Sequence, residues 1–142
     1  MKKLPISIGI LAWKSGQTLV DTLTTYYANG LFEISNDITI LFQEFSHEDY
    51  QIAKHFGLDS ICLNKNIGIG MGLLRLANVA QSDNVLLLEH DWKLIEDKEI
   101  TEKYYPEKFK LLTYGKMYYY EFIPIIPCVN LELINNWKSS LN

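Results

Sequence analysis

The chain is poor in cysteine, with two (Cys62 and Cys128) among 142 residues. That is too few for a disulfide scaffold or a thiolate zinc centre. Both are expected to be small buried hydrophobes. Basic residues are also in deficit, with 13 Lys and Arg against 17 Asp and Glu for a net charge of −4. Without clustered Lys and Arg, a nucleic-acid-binding or polybasic membrane-binding protein is excluded. A phosphate-bearing substrate stays open, because a metal held between carboxylates can meet its charge. No apolar run reaches the ~20 residues needed to cross a bilayer. The opening Met1–Trp13 mimics a signal peptide, but Pro5 and Gly9 interrupt it and no small-residue cleavage pattern follows. A buried first strand and a cytoplasmic location are the expectation. Repeats, low-complexity stretches and Pro/Gly-rich linkers are missing too, so a single domain is expected.

What is present is enough apolar material, 48% of residues, for one sizeable core. Ile6 to Ala12 is nearly continuous apolar sequence, as in a parallel strand buried on both faces. Leu19, Val20, Leu23, Tyr26 and Tyr27 then recur at helical spacing, with Ser15 as the cap upstream. Residues 38–42 predict a second strand. Ser46 and Asp49 form a capping box that opens a helix carrying Ile52, Ala53 and Phe56. Residues 60–63 predict a third strand, 70–81 a third helix and 85–88 a fourth strand. This β-α-β-α-β-α-β order predicts an α/β fold with right-handed crossovers. Beyond Asp91 the pattern changes. Residues 93–110 are charged and helical or looped, 111–127 are aromatic and β-like, and 131–141 resemble a terminal helix.

In an open parallel sheet, ligands bind outside the carboxyl ends of the strands. Three such ends carry chemistry: Ala12-Trp13-Lys14, Gln43-Glu44 and Glu89-His90-Asp91. Two carboxylates one residue apart can reach the same Mg²⁺ or Mn²⁺, both of which favour oxygen ligands and substrate phosphates. Alternatively, Glu89 and Asp91 only solvate a loop. His90, between them, faces away as a loop residue or supports the carboxylates from behind. His47 and His55 lack a second His at ligand spacing and belong to the surface. The Gly-rich run from Asn66 to Gly72 lacks the Lys-Ser/Thr of a phosphate-binding P-loop and reads as a helix start with close backbone packing. The Tyr118-Tyr119-Tyr120 run either stacks on sugar or base rings or forms a partly exposed β-segment.

These residues resemble the nucleotide-binding half of the GT-A glycosyltransferases, specifically the family-2-like group. Ser7 to Lys14, with Leu19 and Leu23, resembles the family's opening strand and helix. Asn66 and Gly68 fit its N-x-G pattern, and Ala80 fits the helix-end Ala. Glu89 and Asp91 fall on its D-x-D carboxylates in the same unbroken register. Gln43-Glu44 stand where the family has a base-contacting Asp, and Glu89 is one methylene longer than the usual first carboxylate. The resemblance implies a GT-A/Rossmann-like three-layer sandwich with a mainly parallel central sheet. Residues 1–97 would form the nucleotide-sugar-binding part and 98–142 an abbreviated acceptor-side part.

It further implies a metal-assisted, hexosyltransferase-like glycosyltransferase acting on a nucleotide-diphosphate sugar, foremost a UDP-sugar, and an unidentified acceptor. Glu89 and Asp91 would hold Mn²⁺ or Mg²⁺. Ala12, Trp13, Gln43, Glu44, Asn66, Gly68, Glu89 and His90 would line the donor site. Glu121 is the one candidate general base beyond the D-x-D position. The alternative is a non-catalytic nucleotide-binding or interaction module on a truncated GT-A fold. A nucleotidyltransferase-like metal enzyme is a third reading, although no Gly-rich basic loop follows the first strand. Trp13 either covers a base or ribose face or packs against the first helix under Leu19 and Leu23.

Overall fold

Ser7–Trp13 form strand β1, buried along its whole length except at Trp13. A strand covered on both faces has to sit inside a sheet with helices on either side. The computed structural model describes residues 3–94 and 128–130, and within them β1 is central. The elements run β1, α1 (Gly16–Ala28), a 3₁₀ turn (Leu31–Glu33), β2 (Asp37–Gln43), α2 (His47–His55), β3 (Asp59–Cys62), α3 (Ile69–Val79), β4 (Asn84–Glu89) and β5 (Cys128–Asn130). Strand order is β3-β2-β1-β4-β5. β1 to β4 are mutually parallel, and β5 runs antiparallel along β4 with Leu86 opposite Cys128. The protein is therefore an α/β sandwich with a mainly parallel sheet, and the four strands expected from the apolar runs all form in one sheet.

The two faces of β1 build two cores. Ile8, Ile10 and Ala12 point towards α1 and α2, where Leu19, Leu23, Tyr26, Ile52 and Ala53 meet them together with Ile40, Phe42, Leu86 and Leu88. Leu11 points the other way, with Leu41, Val85 and Leu87, against Leu74, Leu76 and Ala77 of α3. Helix α3 comes unusually close. A Cβ on Gly9 would stand 3.0 Å from Leu76 Cβ, and one on Gly72 would stand 2.6 Å from Leu11 Cδ1. The glycines at these two contacts let the helix lie on the strand, and at Gly72 this is the close packing expected for the Gly-rich run.

The capping box on α2 forms in full. Ser46 Oγ accepts from the Asp49 N–H at 3.2 Å, and Asp49 Oδ2 accepts from the Ser46 N–H at 2.9 Å. The cap on α1 differs from expectation. Ser15 does stand at the N-cap, but its backbone is αR and its hydroxyl is buried without a hydrogen bond. A capping side chain ordinarily needs an extended backbone at that position. The inner face of α1 is also shifted, with Thr22 buried and Tyr27 exposed to solvent. Cys62 is a free, half-buried thiol against the core rather than a fully buried one. His47 and His55 are exposed, as expected. Strand β5 was not anticipated, and its three residues gain their strand character only from β4. The segments 95–127 and 131–142, with Tyr118–Tyr120 and Glu121, lie outside the described residues. Among those described, no helix is long and apolar enough to cross a membrane.

Candidate functional site

The register of the parallel strands brings the predicted residues to one edge. Trp13 pairs with Gln43 across β1 and β2, and Leu11 pairs with Glu89 across β1 and β4. The ends of β2, β1 and β4 therefore reach the carboxyl edge side by side. Lys14 and Glu44, just beyond the first two strands, both take left-handed backbone conformations (φ 44° and 47°). A non-glycine residue there is strained by about 1–3 kcal/mol, and such strain concentrates at functional edges.

Trp13 and Glu44 close over this edge. The indole Nε1–H donates to Glu44 Oε2 at 2.6 Å. Lys14 Nζ lies 3.6 Å from the same oxygen and 5.4 Å from the centroid of the Trp13 ring. The indole hydrogen bond, opposed in part by desolvation and aided by the Lys14 ammonium, holds the Glu44 carboxyl below the usual carboxylate range. A carboxylate lowered in the folded state keeps its contact above its ordinary pKa and loses it as pH falls through the lowered value. In ¹⁵N-labelled protein, with Trp13→Phe to assign the signal, the Trp13 indole resonance is expected to move in one step with a midpoint below pH ~4.3, the ordinary glutamate value. A midpoint at or above that value would contradict the pairing.

Trp13 is 44% exposed and belongs to neither core, so it does not pack under Leu19 and Leu23. Trp13→Ala is accordingly expected to change stability by less than about 1 kcal/mol. The same change should cost about 1–3 kcal/mol of nucleotide affinity if a base stacks on the indole. Thermal melts and calorimetric titration separate the two effects. Ala12, one residue earlier, is completely buried and faces the α1 core.

Gln43 points inward and is engaged by the loop before α3. Its Oε1 accepts from Ile67 N–H at 2.6 Å, and its Nε2 donates to the Gly68 carbonyl at 3.4 Å. The loop is braced again by Asn66 Oδ1, which accepts from Gly68 N–H at 2.8 Å. Gly68 has a φ of 86°, which a side chain would strain. Asn66 and Gly68 themselves remain exposed.

On the other side of β1, Glu89 to Trp92 form a tight turn, closed by Trp92 N–H donating to the Glu89 carbonyl at 3.2 Å. The His90 N–H donates to the Leu11 carbonyl at 2.9 Å and ties the turn to β1. Glu89 and His90 are half-buried, and Asp91 is exposed. Among the described residues, no three His, Cys, Asp or Glu side chains converge on one ion. A pair of carboxylates on a turn still matches what Mg²⁺ or Mn²⁺ takes from a protein when substrate phosphates supply the remaining ligands.

Three anchors behind this turn carry no sequence motif. Tyr26 Oη donates to the Trp92 carbonyl. Asn29 Nδ2 donates to the Leu94 carbonyl at 2.8 Å, and Leu94 N–H donates to Thr25 Oγ1 at 3.0 Å. Burial first, and the nearby Asp91 carboxylate second, push the Tyr26 hydroxyl pKa well above the ordinary tyrosine value. The last turn of α1 thus straps down residues 92–94. Only the inward spacing of Tyr26 hinted at this.

No family model matches the chain, and no curated protein matches it in sequence. Solved structures do. A cytidylyltransferase from Leptospira borgpetersenii superposes with a TM-score of 0.65 at 16% identity, over 96% of this chain and 64% of that one. A mannosyltransferase from Pyrobaculum calidifontis, in complex with GDP-Man and Mn²⁺, gives 0.57 at 7% identity over 69% of this chain and 30% of that one. The fold is GT-A-like. S. aureus TarS in complex with UDP-GlcNAc gives 0.61 at 13% identity, over 80% of this chain and 32% of that one. The resemblance read from the residues is thus borne out as a GT-A-like fold, one shared by nucleotidyl- and glycosyltransferases. The chain spans less than two thirds of the length of each of these structures.

Proposed function

We propose that this GT-A-like protein binds a nucleotide-diphosphate sugar, foremost a UDP-sugar, and transfers the sugar to an acceptor. The observation that carries the reading is the parallel register of β2, β1 and β4. It sets Trp13 and Glu44 on one side of the edge and Glu89 and Asp91 on the other. Solved structures of this fold that bind UDP-GlcNAc or GDP-Man support that ligand class.

In this reading the indole of Trp13 covers one face of the nucleoside, and Glu44 offers a carboxylate oxygen to a donor on the base or ribose. Asn66 and the Gly68 backbone bound the pocket beside α3. Glu89 and Asp91 would hold Mn²⁺ or Mg²⁺, which when bound neutralises charge on the departing diphosphate. The half-buried His90 keeps the turn against β1 through its backbone bond to Leu11. The acceptor site, and any role of Glu121 as general base, would lie with residues outside those described.

The test is turnover. UDP-, GDP- and CMP-sugars are incubated with Mn²⁺ and a mixture of acceptors, and release of the free nucleotide is followed. Nucleotide release together with a glycosylated product supports the reading. Binding of nucleoside diphosphates without turnover favours the non-catalytic module, and absence of any binding removes both. A second reading, nucleotidyl transfer, is favoured by the likeness to the cytidylyltransferase, which covers 96% of this chain against 69% for the mannosyltransferase. It predicts pyrophosphate release from CTP in the presence of an acceptor.

A further inference from the structure

Successive residues at the end of β2 part company. Glu44 turns outward to Trp13, whereas the Gln43 side chain is 2% exposed and turns in towards α3. Both ends of the Gln43 amide go to one loop: its oxygen receives the Ile67 N–H and its nitrogen gives to the Gly68 carbonyl. A backbone donor and a backbone acceptor side by side admit only this orientation of the amide. Gly72 packs beside the amide: an added Cβ there would lie in ordinary contact with Gln43 Nε2 at 3.6 Å and would clash with Leu11 Cδ1 at 2.6 Å. Gly72 N–H in turn bonds the Gly68 carbonyl at 3.0 Å, so Gln43, the loop and the first turn of α3 form one braced unit.

We infer that Gln43 is a positioning residue: it holds the exposed Asn66–Gly68 loop in its ligand-facing shape and makes no contact with the base. The inference rests on the proposed binding of nucleotide-diphosphate sugars, and it moves Gln43 from the base side of that site to its support. A loop held by two partly buried hydrogen bonds has less freedom to lose when a ligand orders it, so affinity rises without any new contact. Because the effect passes through the loop, it is the same for every base. A residue touching the base would instead change the preference among bases. A residue needed only for folding would lower the melting temperature and leave the affinity of the folded protein unchanged.

The experiment is calorimetric titration of UDP, GDP and CDP, each with Mn²⁺, into the wild-type protein, Gln43→Met and Gln43→Glu, with a thermal melt of each. Gln43→Met keeps the length and burial of the side chain and deletes both bonds. Gln43→Glu keeps an acceptor for Ile67 and serves if the methionine variant fails to fold. The expected result is a loss of about tenfold for each nucleotide that wild type binds, the size of one lost hydrogen bond. The ratios between nucleotides should be unchanged in both variants, Gln43→Glu losing affinity as well because its second oxygen sets an acceptor against the Gly68 carbonyl. Changed ratios, or unchanged affinities in folded variants, overturn the positioning role while leaving the proposed function intact. A wild-type protein that binds none of the three overturns the proposed function, and the role of Gln43 falls with it.

Discussion

Asp91→Ala is expected to abolish Mn²⁺-dependent binding of nucleoside diphosphates, while Glu89→Ala weakens it less. Asp91 projects from the Glu89–Trp92 turn into solvent, and Glu89 is half-buried at the end of β4. In the proposed site, with Mn²⁺ and a diphosphate bound, the Asp91 carboxylate would be one partner of a desolvated pair with the metal. Truncating such a partner costs about 2–5 kcal/mol. In the free protein the side chain makes no hydrogen bond or ion pair among the described residues, so the melting temperature should stay close to that of wild type. Calorimetry with and without Mn²⁺ reads the binding, and a melt reads the fold. Equal affinity in wild type and Asp91→Ala, with metal present, would remove the turn from the site.

The largest loss of stability is expected at Tyr26. Its side chain is fully buried, packs edge-on against Phe32 with centroids 6.0 Å apart, and reaches the Trp92 carbonyl. Tyr26→Ala removes all of this and is expected to cost about 3–5 kcal/mol, the range for truncating a buried aromatic. Tyr26→Phe keeps the packing and leaves the Trp92 carbonyl without its donor, at about 1–3 kcal/mol. Urea unfolding of both variants measures the difference. If the phenylalanine variant is as stable as wild type, the hydroxyl does not hold the 92–94 strap.

Much of the fold was legible because its signals are local. The runs at 6–12, 38–42 and 85–88 are apolar apart from Ser7, Gly9 and Thr39, and only strands covered on both faces tolerate that. The bounds of the observed strands β1, β2 and β4 each differ from those of the runs by one residue. Ser46 and Asp49 sit three residues apart, so their reciprocal cap needs nothing beyond its own helix. The gathering of Trp13, Glu44, Glu89 and Asp91 on one edge also followed from the chain, because parallel strands joined by helices present like ends on the same side.

Contacts between elements decided the rest. Gln43 and Glu44 look interchangeable in sequence. Strand alternation sends one towards the loop before α3, and the left-handed turn at Glu44 sends the other to Trp13. Ser15 has the right residue type for a cap, yet its αR backbone after the β1–α1 turn denies it the bond. Tyr26, Asn29 and Thr25 hold a segment more than sixty residues away, and β5 exists as a strand only through its pairing with β4. Apolar periodicity and capping are energies of neighbouring residues and can be read from order alone. Side-chain partners across elements are fixed only when the whole sheet has set their distance and direction.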